Sequence, residues 1–344
     1  MRRIGILTGG GDCPALNAVI RGVVEKCALE DVEVFGFADG WRGALHADGK
    51  VLTLDDVEGI QTLGGTILGS SRTNVMKTEN GPELVRASME KLGLEGIVAI
   101  GGDDTLGVAS QLFDMGMNMV GVPKTIDNDL SCTDFTFGFD TASNIVMEAL
   151  DRLHTTAYSH GRVMVVEIMG RHTGWIALQG GLAGDAHVIA IPEFPIHIDD
   201  VCRIVTERKE RGKRYSVVAV AEGATIEGFH VDEGELKKDA FGNAALPDRA
   251  IGHKLAQEIQ RRTGIETRDI VLGHLQRGGS PSAFDRVLGA RMGAKAAEQV
   301  VSRNYGCMVG LSATKIVCTP LKNALSTRKE VDAELYEVAK LFCR

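Results

Sequence analysis

Nothing in the 344 residues approaches the roughly 18–20 consecutive apolar residues that a membrane-spanning helix needs. The first apolar run, Ile4-Gly5-Ile6-Leu7, stops at three glycines and Asp12, too short for a secretory leader. The expectation is a soluble, cytoplasmic chain with no membrane partner. Basic charge is also in short supply: 38 Lys and Arg stand against 46 Asp and Glu, a formal net charge of −8. A sequence-independent nucleic-acid binder needs a basic surface to displace phosphate counterions, so that class is excluded while a local anion site stays open. Cysteine never occurs as Cys-x-x-Cys, and its seven copies are an odd number. That argues against a zinc site and a disulfide framework, and for a reducing compartment. Low-complexity tracts are missing too, and 44% hydrophobic with 24% charged residues is globular composition.

What is present is glycine, 42 residues against 8 prolines, concentrated where short apolar runs end. Residues 3–7 form a β-like run that ends in Thr8-Gly9-Gly10-Gly11-Asp12, and residues 15–27 carry helical spacing behind Pro14. The pattern repeats at 96–100, which runs into Gly101-Gly102-Asp103-Asp104-Thr105 and a helix to Leu112. Further strand-like runs fall at 119–122, 163–168, 188–191, 215–221 and 270–272. Strands alternating with helices predict parallel β-α-β units with helices on both faces. The length predicts two lobes with a cleft between them. Ligands of such sheets bind at the carboxyl ends of strands, so the glycine turns should carry the chemistry. Residues 124–140 have neither period and read as a functional loop. A helix follows, with Asp140 as its cap and Ala142, Ile145, Ala149 and Leu153 as its apolar face.

The first turn is not a dinucleotide fingerprint, because the third glycine would fall at position 14, which is proline. No G-x-x-x-x-G-K-[ST] occurs either. The turn fits a phosphate cradle at a helix N-terminus and equally a plain tight turn. The second turn sets two carboxylates in a phosphate-style loop. Carboxylates repel phosphate, so the pair points to a bridging cation, with Asp103 as the candidate ligand; an acidic helix cap is the plainer alternative. In Pro123-Lys124-Thr125-Ile126-Asp127-Asn128-Asp129, residues two apart share a side, which brings Asp127 and Asp129 towards one place. Phosphoryl transfer to a hydroxyl needs a carboxylate base and positive charge, roles open to Asp127 and Lys124. Burial and neighbouring carboxylates would raise the basicity of such an aspartate. Two later stretches, Met169-Gly170-Arg171-His172-Thr173-Gly174 and Gly273 to Pro281 with His274 and Arg277, look like anion receivers, and Arg268 lies near the second.

Together these stretches, with Ala221-Glu222-Gly223, resemble the phosphofructokinase family in content and in order, from residue 4 to beyond residue 280. The resemblance implies two doubly wound α/β lobes with mainly parallel sheets and an active site in the cleft. Residues 1–138 would hold the phosphate donor and Mg²⁺, rejoined by 251–300. Residues 139–250 would hold the sugar phosphate, joined by 301–344. It assigns Asp127 as the base for the sugar's 1-hydroxyl, Asp103 as the Mg²⁺ ligand, and the Gly11 backbone to the donor phosphate. It assigns fructose 6-phosphate to Thr125, Asp129, Met169, Gly170, Arg171, Glu222 and His274, with Arg277. Arg162 and Arg268 would serve a neighbouring subunit's site, which makes the protein a homo-oligomer, dimer or tetramer, with shared active sites.

One departure bears on the donor. ATP-using members of the family carry glycine at 104 and 124, where this chain has Asp104 and Lys124. A carboxylate about 4 Å from a nucleotide's α-phosphate costs on the order of 4 kcal/mol in a partly screened site. That is roughly a thousandfold in affinity. Lys124 supplies a cation for the transferring or leaving phosphate. The pair matches the branch that uses pyrophosphate and runs reversibly between glycolysis and gluconeogenesis. An ATP-dependent enzyme and a non-catalytic sugar-phosphate sensor are the alternatives, and retention of Asp103, Asp127 and Asp129 disfavours the sensor.

Overall fold

A computed structural model describes residues 2–229 and 249–343. The chain divides into two units, Met1–Asp140 with Arg277–Lys329, and Thr141–Gln276 with Glu330–Arg344.

The first unit is built on a seven-stranded sheet. Its order is Lys315–Pro320, Cys307–Ser312, Met119–Pro123, Ile97–Gly101, Arg2–Thr8, Val32–Phe37 and Gly49–Leu52. The five inner strands are parallel, and each edge strand is antiparallel to its neighbour. Inner strands are buried on both faces, as their unbroken apolar sequence requires. The register sets Thr8 opposite Ile100 and Gly101 opposite Pro123, so three adjacent strands end level. Helix Leu16–Ala28 packs on helix Ala283–Val301 through small residues. A Cβ on Gly22 would lie 2.5 Å from the Ala290 carbonyl, and one on Gly293 2.3 Å from that of Val19. That close crossing ties the returning segment to the first unit.

The second unit has a four-stranded parallel sheet in the order Thr267–Val271, Val163–Ile168, Ser216–Ala221 and Val188–Ala190. A two-residue parallel pair, Ile196–His197 with Ile226–Glu227, lies beside it in the chain. The basic run at 208–214 is a helix end and turn, mostly open to solvent.

The segment boundaries differ from those the sequence predicted. Residues 251–276 belong to the second unit, not the first. Helix Ile251–Thr263 packs on strands Thr267–Val271 and Val163–Ile168, and the Gly252 N–H donates to buried Glu167 at 2.8 Å. Residues 301–329 belong to the first unit, because the hairpin Cys307–Ser312/Lys315–Pro320 extends its sheet. Residues 230–248 of the expected second lobe lie outside the described residues. Helix Phe139–His160 already contains Asp140, which accepts a 2.6 Å hydrogen bond from Ser282 instead of capping from outside. Its buried face is Ala142, Val146, Leu150 and Ala157, while Ile145, Ala149 and Leu153 are half-buried. The stripe is turned by one residue, which periodicity alone does not resolve in a helix with apolar residues on both flanks.

Candidate active site

In the first unit, the loops that leave the level strand ends gather the predicted residues of the donor side. The Thr8–Asp12 turn follows strand Arg2–Thr8, Asp103 and Asp104 open helix Asp103–Asp114, and Lys124 follows strand Met119–Pro123. Lys124 is buried, and its Nζ donates to the Gly11 carbonyl. Arg277, also buried, donates from Nη1 to the Asp12 carbonyl at 3.0 Å. A Cβ on Gly11 would sit 2.9 Å from that same guanidinium nitrogen. The turn is thus braced by two cations through the main-chain carbonyls of Gly11 and Asp12. Arg277 is grouped here with Gly11, not with the sugar-phosphate residues of the second unit.

Facing the opposite sign of charge is the second turn. Gly102 leaves the helix N-terminus with no side-chain cap, and both first-turn residues are acidic. The Asp104 N–H donates to Asp103 Oδ1 at 2.9 Å. Asp103, Asp104 and Gly107 line a cavity of about 370 Å³ together with Asp129, Leu130 and residues 324–328. Among the described residues no group of three or more His, Cys, Asp or Glu could hold a metal ion. Asp103 and Asp104 side by side suit a divalent cation that takes one or two carboxylates and completes its shell with phosphate oxygens and water.

The loop that follows Lys124 is held by its own polar groups. The Asp127 N–H donates to Thr125 Oγ1 at 3.0 Å, Thr136 Oγ1 donates to the Thr125 carbonyl at 2.7 Å, and the Thr136 N–H donates to Asn128 Oδ1 at 3.0 Å. Asn128 takes a left-handed φ of 53°, which an asparagine tolerates and which re-aims the chain between the two aspartates. Asp127 is buried; Asp129 is pushed up to about 7, first by burial, then by the charges of Asp127 and Asp103. The charges of Asp127 and Asp103 thus both act on Asp129.

In the second unit, the Met169–Gly170–Arg171 turn follows strand Val163–Ile168. Gly170 has φ 151°, and a Cβ there would lie 2.5 Å from the Thr173 carbonyl. The buried Glu222, at the end of the neighbouring strand, accepts from the Gly170 and Arg171 N–H groups at 3.3 and 2.9 Å. His274, exposed in the turn after strand Thr267–Val271, leaves the same end of the sheet. Arg162 and Arg268 do not join this cluster. Arg162 precedes strand Val163–Ile168 and Arg268 pairs in register with Met164, so both sit at the opposite, amino end. Six residues of strand put them roughly 20 Å from Gly170. There they share Glu266, at 3.0 Å from Arg162 and 2.6 Å from Arg268, and the Arg162 Nε finds no partner among the described residues.

Sequence reasoning assigned nothing to residues 324–328, which line the cavity, or to Glu193, whose carboxylate accepts from the Gly174 N–H at 3.0 Å at the start of helix Trp175–Ala183. The available signal was the run Ser326-Thr327-Arg328-Lys329, two hydroxyls and two cations after a strand-like stretch.

Glycine turns and carboxylates at the carboxyl ends of doubly wound parallel sheets define an α/β enzyme that handles phosphates. The chain belongs to the phosphofructokinase family, described as "Phosphofructokinase", whose profile matches residues 3–300. It is 54% identical to the pyrophosphate--fructose 6-phosphate 1-phosphotransferase of Amycolatopsis methanolica, over 99% of each chain. It is 49% identical to ATP-dependent 6-phosphofructokinase 3 of Streptomyces coelicolor, over 98% of this chain and 99% of that one. The crystal structure of Pichia pastoris phosphofructokinase superimposes with a TM-score of 0.82 at 29% identity, covering 99% of this chain and 36% of that one. Four relatives named for pyrophosphate lie at 48–54% identity and four named for ATP at 44–49%, so the comparison favours pyrophosphate.

Proposed function

We propose that the chain is a pyrophosphate-dependent 6-phosphofructokinase, which phosphorylates fructose 6-phosphate to fructose 1,6-bisphosphate and releases phosphate. The observation that carries this reading is Asp104 beside Asp103 in the donor-side cavity, with Lys124 buried against the Gly11 carbonyl. A second carboxylate at the helix N-terminus opposes the extra phosphate and ribose of a nucleotide, while the braced glycine turn offers N–H groups to a small polyanion. Pyrophosphate hydrolysis releases less free energy than ATP hydrolysis in the cell, so the reaction runs in both directions, in glycolysis and gluconeogenesis.

A divalent metal is a requirement of this family, and the reading here is Mg²⁺ held by Asp103. When bound, it would neutralise charge on the phosphoryl group being transferred. The chain's own residues do the rest. Asp127 takes the proton of the sugar's 1-hydroxyl as that oxygen attacks phosphorus. Thr125 and Asp129 hold the acceptor beside it. Lys124 and Arg277 fix the Gly11 turn against the donor, a role on the donor side for Arg277. The Gly170–Arg171 turn, held open by Glu222, receives the sugar phosphate with Met169 and His274. Arg162 and Arg268, remote from that turn in their own chain, act at the site of a neighbouring copy. This requires a dimer or tetramer. Among the described residues no helix is long and apolar enough to cross a membrane. The reading here is an enzyme of the cytoplasm.

The test is initial rates with fructose 6-phosphate and Mg²⁺, pyrophosphate and ATP being compared as donors over a range of concentrations. Turnover with pyrophosphate alone is expected. The second reading, an ATP-dependent enzyme, is favoured by the 49% identity to a relative of that name; turnover with ATP alone would establish it and remove the argument from Asp104.

A further inference from the structure

The donor-side cavity has a wall that none of the roles above uses. Three of its lining side chains are carboxylates, Asp103, Asp104 and Asp129, and Arg328 is the one cation that lines it among the described residues. Arg328 is placed there by backbone. It forms an antiparallel bridge with Leu130, and the Lys329 N–H donates to the Asp129 carbonyl at 2.9 Å. Lys329 turns inward and clamps the segment to the loop before helix Phe139–His160. Its Nζ donates to Asn128 Oδ1 and the Thr133 carbonyl, each at 3.2 Å, and to the Asp134 carbonyl. Half-buried, its ammonium is pushed down to about 8 by loss of solvent. The two neighbouring cations therefore divide the work, Lys329 holding the wall and Arg328, exposed, presenting charge on its surface. Ser326 and Thr327 add exposed hydroxyls to the same wall.

We infer that Arg328 is a donor-binding, specificity-determining residue, whose guanidinium grips pyrophosphate in this cavity opposite Asp103 and Asp104. The inference rests on the pyrophosphate reading above and deepens it. A polyanion entering among three carboxylates needs cations on more than one side. A metal at Asp103 supplies one, and Lys124 is turned to the Gly11 carbonyl. Arg328 supplies another, and its planar fork matches two phosphate oxygens at once, which a lysine does not.

The experiment uses the full-length enzyme with Arg328→Gln and Arg328→Lys. Steady-state kinetics are measured with each substrate varied in turn at saturating Mg²⁺, alongside calorimetric titration of Mg-pyrophosphate and thermal unfolding. For Arg328→Gln the KM and Kd for pyrophosphate are expected to rise about tenfold or more, as losing a charged hydrogen bond does. The KM for fructose 6-phosphate should stay within twofold and the unfolding temperature should hold, because the side chain is exposed. Arg328→Lys should recover part of the loss. A pyrophosphate KM within twofold of the parent overturns the inference, and so does an equal rise in both KM values with a lowered unfolding temperature. If the unmodified enzyme turns over ATP and not pyrophosphate, the donor reading itself fails and takes this one with it, an outcome visible before any variant is made.

Discussion

Within the Gly101–Thr105 turn, two aspartates occupy adjacent places, and the N–H of Asp104 is spent on the carboxylate of Asp103. A nucleotide there meets like charge, and the estimate of roughly a thousandfold in affinity applies to that one position. Lys124 compensates at the neighbouring strand end, where its ammonium and the Arg277 guanidinium brace the glycine turn through main-chain carbonyls. Since Asp104 opens the helix after one strand and Lys124 follows the next strand, the proposed pair should be changed together. Asp104→Gly with Lys124→Gly is expected to shift the ratio of kcat/KM for ATP over pyrophosphate upward by two to three orders of magnitude. A ratio that stays within threefold of the parent's would remove electrostatics as the reason for donor choice.

Secondary-structure elements of this chain carry strain and charge where they end. The turn after strand Val163–Ile168 is open to glycine alone at 170, and its N–H groups are gathered by Glu222 from the next strand. A different joint sits at the start of strand Val188–Ala190. The His187 ring, buried, accepts at Nδ1 from the Val217 N–H at 2.8 Å, and packs edge-on to His154 at 5.8 Å between ring centroids. Burial first, then the charge of Arg208, pushes His187 down to about 3. An unfolded chain takes up a proton there near its ordinary ~6.5. Between about 3 and ~6.5 the unfolded state therefore binds a proton that the folded ring refuses. The stability that the neutral ring contributes is present above ~6.5 and is lost as pH falls. Denaturation midpoints at pH 7.5 and 5.0 should drop less in His187→Asn than in the parent. Equal drops would show that the ring is not the source.

For the whole molecule, the position of Arg162 and Arg268 is the informative fact. Strand geometry puts them at the far end of the sheet from Gly170 and Glu222, sharing Glu266, and the reading proposed above gives them to the site of a neighbouring copy. Two crippled chains should then rescue each other. Asp127→Ser and Arg268→Ala are each expected to be nearly inactive alone. Co-expressed as a mixed oligomer, they form some sites that contain Asp127 from one copy and Arg268 from the other, and activity should return to a sizeable fraction of the parent's. No recovery in a verified mixed oligomer would mean that Arg268 acts within its own chain.

The fold class was legible because inner parallel strands are short unbroken apolar runs and the turns that follow them need glycine. Residues 3–7, 96–100 and 163–168 could be read one at a time, and each locates a neighbouring turn whose chemistry is local in sequence. Asp103 with Asp104, and Asp127 with Asp129, were visible for the same reason. The partition of the chain was not. Whether 251–276 or 301–329 joins a given unit depends on which sheet edge or helix face receives it, here Glu167 meeting the Gly252 N–H and Cys307–Ser312 pairing with Met119–Pro123. Nor could the sequence show that Arg277 braces Gly11 and Asp12, or that Arg328 lies across a cavity from Asp103, more than two hundred residues away along the chain. Local composition determined which residues do chemistry. Strand register and the crossings that only a folded chain makes decided which of them meet.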